Sequence, residues 1–320
     1  MSAAPEPLHS IRVPGRRRTF FTELMRDLKI NRYIYLMVLP AVIYYAVFHY
    51  FPMYGVQIAF KDYFPARGML NSPWVGFKHF QDFFNSFYFW RLVRNTLLLS
   101  FYDLIFAFTA PIVLALLLNE LRTIWFKRVV QTVTYLPYFI SIVVVAGMMV
   151  DFLARDGLIN NVLVMFGFEK LAYLVEPGWF RTIFIGSGIW QNVGWGSIIY
   201  LATIANIDPS LYEAAKVDGA NRWKQTVHIT IPGMLPTIII LLILQIGNIM
   251  SVNTDKILLL YNTSTYETAD VIGSYVYRKG LLQADFSYST AIGLFNSVIN
   301  FGLLIAANSF SKRLTDTKLW

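Results

Sequence analysis

Glu213-Ala214-Ala215-Lys216-Val217-Asp218-Gly219, followed nine residues later by Ile229-Thr230-Ile231-Pro232, lies between two long apolar segments, roughly 182–205 and 235–254. It is polar and rich in small residues, which in a chain that crosses a membrane repeatedly suggests a docking surface for a soluble partner. Asp208 can cap free N–H groups and Pro209 suits a first helical position. Ser210 with Glu213 offers a rival capping box one turn further on. Gly219 fits the helix stop, and Asn221 can begin a second short helix through Trp223 and Val227 that Pro232 ends. The stretch therefore predicts a helix–turn–helix along the membrane surface. Ala214 and Ala215 keep its first helix thin enough to enter a cleft, Glu213 offers a charge to a cationic or amide group, and Asp218-Gly219-Ala220 makes the bend.

Outward from this insert the composition is that of a membrane protein. Of 320 residues 56% are hydrophobic and 14% charged, with a mean hydropathy of +0.49, where a soluble domain carries roughly 25% charged residues. Runs of about 20 apolar residues suffice to cross a bilayer, and six occur, at 33–52, 95–118, 130–152, 182–205, 235–254 and 286–308. The fold class is thus all-α, with six transmembrane helices. Short-loop Lys and Arg favour a cytoplasmic N-terminus, 16 inside against 11 outside, with Arg16-Arg17-Arg18 and Arg26 just ahead of the first span. Both termini are expected in the cytoplasm and the protein in the inner membrane. The net charge of +8 is nearly all on the cytoplasmic side, so it argues neither for nucleic acid nor for a particular substrate.

Three regions follow: a basic segment 1–32, a transmembrane domain 33–310 carrying the insert 206–234, and a tail 311–320. Phe20 to Arg32 reads as a short amphipathic helix on the membrane surface. The long loop 53–94 holds many aromatic residues, among them Trp74, Phe87 and Trp90, and is expected at the lipid interface. Asn95-Thr96 sits where a cap for the second span belongs, and the short link 119–129 makes spans two and three antiparallel neighbours.

The insert also matches a signature, E-A-A-x3-G-x9-I-x-L-P, in which only Ile231 departs, standing where the pattern has Leu. On this motif the chain resembles the permease subunits of carbohydrate-type, binding-protein-dependent ABC importers, similar to the maltose permeases and closer to their oligosaccharide and polysaccharide relatives. Phe51-Pro52-Met53-Tyr54-Gly55, Val75-Gly76-Phe77-Lys78-His79-Phe80, Phe89-Trp90-Arg91 and Arg128 through Leu136-Pro137 extend the likeness over roughly 33–310. More narrowly it resembles the first permease subunits of alginate importers of Gram-negative bacteria. The resemblance implies the type I importer fold and a second homologous permease. It also implies two ATPases bearing ATP and Mg, an external solute-binding protein and an oligosaccharide substrate. It further implies that Glu213, Ala214, Ala215, Asp218 and Gly219 seat in a groove on an ATPase. No G-x-x-x-x-G-K-[ST] occurs in the chain, in keeping with ATP hydrolysis on another polypeptide.

Polar side chains within spans are candidates for a solute path. In span six Ser289, Gly293, Asn296 and Asn300 form one helical stripe, and in span five Gln245, Asn248 and Val252 form another with Ser251 near its end. Span four offers Trp190, Gln191, Asn192 and Trp195. Amides beside aromatic rings suit sugar hydroxyls and the apolar faces of sugar rings, and helix packing uses the same residues. Asp103 is the one carboxylate well inside a span, where it is expected in a polar pocket. An ion-coupled carrier would need more embedded charge than Asp103 and the boundary residue Asp151. An enzyme would need a nucleophile or metal set that a chain with no cysteine and no paired histidines does not offer.

Overall fold

Hydrophobic runs without a soluble core give helices long enough to cross a bilayer, and the computed structural model, which describes residues 27–315, consists of them. No strand occurs among the described residues, and Lys61 and Trp74 form an isolated β-bridge. The chain divides into two compact units at Val56 and Gln57. In the first, α1 (Arg32–Tyr45) is apolar all round. Its helical path continues through a wide turn at Ala46–Tyr50 and a tighter one to Phe60. Of the amphipathic helix expected over Phe20–Arg32, only residues 27 onward are described, and 27–30 are helical. The tail beyond 315 lies outside the described residues.

In the second unit, α2 (Lys78–Phe84) precedes α3 (Phe89–Tyr102) and α4 (Thr109–Glu120), which form one 32-residue helix. A wide turn at Asp103–Ala107 interrupts it, where the Phe108 N–H donates to Asp103 O at 2.9 Å. Then come α5 (Ile124–Tyr135) and α6 (Ile142–Leu153), on the two sides of a 101° bend. They are followed by α7 (Pro177–Ala205), α8 (Pro209–Val217), α9 (Ile231–Gly247), α10 (Thr254–Leu260), α11 (Ile272–Tyr277) and α12 (Phe286–Thr315). Among the described residues four helices are long and apolar enough to cross a membrane, Arg32–Phe60, Phe89–Glu120, Arg222–Gly247 and Phe286–Lys312, and the bent pair would make a fifth. With 29 residues α7 measures about 44 Å, also enough to cross. It lies over the predicted fourth span, where glycines and Gln191 and Asn192 dilute its hydrophobicity.

α7 is the axis of this unit. It packs most extensively on α4 and also meets α5 and α9, whereas α4 and α5, expected to be close neighbours, touch only slightly. Buried Phe180, Phe184 and Ile185 of α7 share a core with Leu99, Ile257, Leu260 and Val271, while Tyr200 and Ile204 pack with Ala115 and Met234. At Gly194 the backbones of α7 and α5 come so close that a Cβ would stand 2.0 Å from the Thr134 carbonyl oxygen.

Four expectations change. Asn95 and Thr96 lie inside α3, fully buried, and clamp a loop instead of capping a helix. Asn95 Nδ2 donates to Glu267 O at 2.8 Å and Asp270 O at 3.1 Å, and the Ile272 N–H donates to Thr96 Oγ1 at 3.1 Å. Pro232 does not stop the short helix, because a wide turn at Thr226–Thr230 comes just before it. Ile231 N–H there reaches Thr226 O, so the ladder has already shifted register where Pro232, which has no N–H to give, enters α9. A single 26-residue helix results, Arg222–Gly247. Its far end arrives earlier than 254, since Asn248 to Asn253 leave the helix as a turn. The aromatic loop also divides: Phe83 is buried beside Phe89 and Phe295, while Phe87 and Trp90 are 90% and 77% exposed.

Gly194→Ala should lower stability by about 1–3 kcal/mol, the usual cost of forcing atoms into a packed contact. Gly147→Ala in α6, whose Cβ would meet nothing within 4 Å, should be neutral or slightly stabilising. Thermal unfolding of the two variants in detergent checks the contrast.

Candidate functional site

The candidate residues gather at two places, a polar hollow between helices and the elbow around Gly219. Two adjoining cavities of about 220 Å³ and 470 Å³ share Asp103, Gln245 and Asn248 in their walls. Asp103 opens the wide turn between α3 and α4. Such one-turn expansions free a carbonyl and redirect side chains, which is why they recur at functional positions. From α9, Gln245 Nε2 donates to Asp103 Oδ2 at 2.8 Å. From α7, Gly188, Asn192 and Gly196 face the same space, and from the turn after α9 come Ser251 and Asn253. Ser100 lines it too and donates to Ile249 O, tying α3 to that turn.

The predicted path residues separate accordingly. Asn192, Gln245, Asn248 and Ser251 come together at the hollow. Asn300 stands behind it, donating to Ser251 Oγ at 2.9 Å and accepting from the Met250 N–H at 2.9 Å. Gln191, Trp195, Trp190 and Asn296 are not among its walls. The hollow-facing side of α7 runs Gly188, Asn192, Gly196 and Ile199, which leaves Gln191 and Trp195 on adjoining faces. Gln191 Nε2 donates to Ile140 O at 2.9 Å, and the Trp195 ring stacks on Tyr138 at 4.5 Å. Asn296 Oδ1 is buried with no hydrogen-bond partner among the described residues. Sequence reading missed Ser100 and also Lys256. Lys256 is 3% exposed, and its ammonium donates to Phe184 O at 2.6 Å and lies over the Phe184 ring. Nothing in a lone Lys of a polar loop signals that burial. No group of three or more His, Cys, Asp or Glu able to hold a metal occurs among the described residues.

The elbow forms as its residues dictate. Asp208 accepts from the Ser210 N–H at 2.9 Å, and this bond holds its carboxyl below the usual range. The Ser210–Glu213 box is not used, because α8 starts at Pro209. Gly219 takes φ +73°, a conformation that costs other residues about 1 kcal/mol or more, and Ala220 N–H donates to Ala215 O across the stop. Asn221 caps the next helix by accepting from the Lys224 N–H at 2.9 Å. Glu213, Ala214, Asp218 and Gly219 are exposed, as are Leu211, Val217 (88%) and Trp223 (74%), while Ala215 is half-buried. The elbow is also braced. Arg222 pairs with Glu120 at 3.1 Å, Thr226 Oγ1 donates to Glu120 Oε1 at 3.3 Å, and the Tyr212 and Thr230 hydroxyls meet at 2.9 Å.

Residues 93–316 match the family model described as binding-protein-dependent transport system inner membrane component. The chain is 45% identical over 291 residues to the polygalacturonan/rhamnogalacturonan transport system permease protein YteP of Bacillus subtilis, covering 91% of each. It is 43% identical over 297 residues to protein LplB of the same organism, covering 92% of this chain and 93% of that one. A chain in the crystal structure of a bacterial alginate ABC transporter, in complex with an alginate pentasaccharide-bound periplasmic protein, superposes with a TM-score of 0.86. It shares 45% identity with this chain and covers 93% of it and 100% of that chain.

Asn300→Ala removes the acceptor of the Met250 N–H and should destabilise by about 1–2 kcal/mol. Amide exchange at Met250 and Ser251 should accelerate selectively. Exchange that stays as slow as in the parent protein would detach Asn300 from the turn.

Proposed function

The chain belongs to the binding-protein-dependent transport system inner membrane component family, and on that premise we propose that it is one half of an alternating-access path for an oligosaccharide, driven through its elbow by separate ATPases. It is a permease subunit of the sugar ABC importer class, with the all-helical fold of type I importer permeases. The observation that carries the finer reading is continuity. The helix that starts beside the elbow at Arg222 continues as one 26-residue helix, widened at Thr226–Thr230, to Gly247 and carries Gln245. From Arg222 to Gln245 it measures about 35 Å, and α7 joins the elbow to the hollow along the other wall.

Exposed Val217, Trp223 and Leu211 around the Glu213 carboxylate supply an apolar patch with one charge for an ATPase groove. Closure of the ATPases would shift the braced elbow, and α7 and α9 would carry that shift to the hollow. A stiff connection of this kind transmits a difference in binding between two states. Asp103, Asn192, Gln245, Asn248 and Ser251 would meet sugar hydroxyls there. A second homologous permease would close the other side of the path, and a solute-binding protein would deliver the substrate from outside. ATP and Mg would reside on two partner ATPases, and both termini of this chain would lie in the cytoplasm. The elbow's end of the bundle is then cytoplasmic and the end bearing Arg181 and Asp270 external. One relative's name and a matched structure both concern acidic polysaccharides, which supports an acidic oligosaccharide, alginate-derived or similar.

Gly219→Val should strain the elbow, and Glu213→Arg should reverse its charge. Each should cut ATPase co-purification or sugar-stimulated uptake about tenfold or more, as interface anchors do, while pairing with the second permease persists. Variants that retain full ATPase binding and uptake would contradict the lever.

A further inference from the structure

A second hollow lies along the same face of α7, toward its N-terminal end. Its volume is about 440 Å³, and its walls include Tyr102, Phe106, Arg181, Thr182, Gly186 and Ile189. It shares Ile189 with the Asp103 hollow. From Arg181 to Gly188 is about 10 Å along the helix, a spacing that a short oligosaccharide bridges.

Arg181 is an unusual group for such a place. Its Nη2 donates to Asn95 Oδ1 at 3.2 Å, and Asn95 is itself fully buried and fixed through its Nδ2 to Glu267 O and Asp270 O. Among the described residues Arg181 Nε is buried with no hydrogen-bond partner and no carboxylate stands at ion-pair distance from its guanidinium. The nearby Asp270 is already taken by Arg278 at 2.7 Å and Arg91 at 3.3 Å. Nor does helix stability call for a cation here. Arg181 sits little more than one turn into α7, near the end of a helix dipole that disfavours positive charge. A held guanidinium without a counterion, facing a hollow walled by two aromatic rings, has the chemistry of a carboxylate reader beside a platform for a sugar ring. Arg94, exposed and donating to Glu267 O at 3.4 Å, adds positive charge at the same end.

Resting on the oligosaccharide reading above, we propose that this hollow is a station for a uronate unit of the substrate. Its carboxylate lies on Arg181 and its ring on Tyr102 and Phe106. The neighbouring hollow, with the Asp103 carboxylate in its wall, repels a second carboxylate and reads hydroxyl groups instead. Acid selection in this half of the path therefore falls to the external end.

The test uses the complete importer complex in phosphatidylcholine nanodiscs without its binding protein, so that affinity reports the path alone. Saturation-transfer NMR compares tetragalacturonate with its carboxyl-reduced, neutral counterpart. The parent complex should bind the acidic sugar about tenfold more tightly, the range of a charge-assisted hydrogen bond. Arg181→Gln should remove that preference with little change toward the neutral sugar. Arg181→Lys should keep part of it, since the charge remains and the fork is lost, and this variant carries the test if the Gln form does not assemble. A preference unchanged in these variants, or an equal loss for both sugars, overturns the station while leaving the oligosaccharide path standing. A parent complex that binds neither sugar removes the oligosaccharide reading itself, and the station with it. Phosphatidylglycerol retention that depends on Arg181, with sugar binding that does not, assigns the hollow to a lipid headgroup and overturns the proposal.

Discussion

The hydrogen bond from Gln245 to Asp103 joins α9 to the wide turn between α3 and α4, and the polar hollow exists where these two helices and α7 converge. In an apolar surrounding a carboxylate left without such a donor is costly. The pair therefore confines its helices to an arrangement that keeps both groups satisfied beside the cavity. Around it several further polar groups are engaged. Asn300 holds Met250 and Ser251, Ser100 holds Ile249, and Lys256 is held by Phe184 O. The walls of the hollow are thus tied to one another by polar contacts.

On the proposed reading, a distant surface acts on the hollow through similar ties. The elbow is braced to the end of α4 by Arg222, Thr226 and Glu120, and the helix leaving it does not break until Gly247. Partly exposed ion pairs such as Arg222–Glu120 contribute only about 0–1 kcal/mol each, so the brace gives orientation more than stability. Stiffness comes instead from helix length and from the α7 contacts, the tightest of which requires a glycine at 194.

Much of this was legible in the sequence because its causes are local. Asp208, Pro209, Gly219 and Asn221 each act on backbone groups within a few residues, and each appears in the structure where that chemistry puts it. The polar character of spans four and five pointed to Asn192, Gln245, Asn248 and Ser251. Features set by long-range packing were not legible. Asn95 resembles a cap until Glu267 and Asp270 come to meet it from more than 170 residues away. Pro232 looks like a terminator unless the wide turn before it absorbs the missing bond. Gln191 and Trp195 differ from Asn192 only in which face of α7 they occupy, and the stripe through span four does not decide that without its neighbours. Arg181 and Lys256 read as ordinary loop charges until their surroundings are known.

The central claim is that elbow and hollow are one mechanical unit, and the absence of cysteine from this chain allows a direct measurement. A single cysteine at position 248, an exposed position in the hollow, can be labelled in the reconstituted importer from either side of the membrane. The account predicts that a non-hydrolysable ATP analogue shifts its reactivity from one side to the other, and that Gly219→Val abolishes the shift. Reactivity indifferent to nucleotide, or a shift that survives the elbow variant, would contradict it.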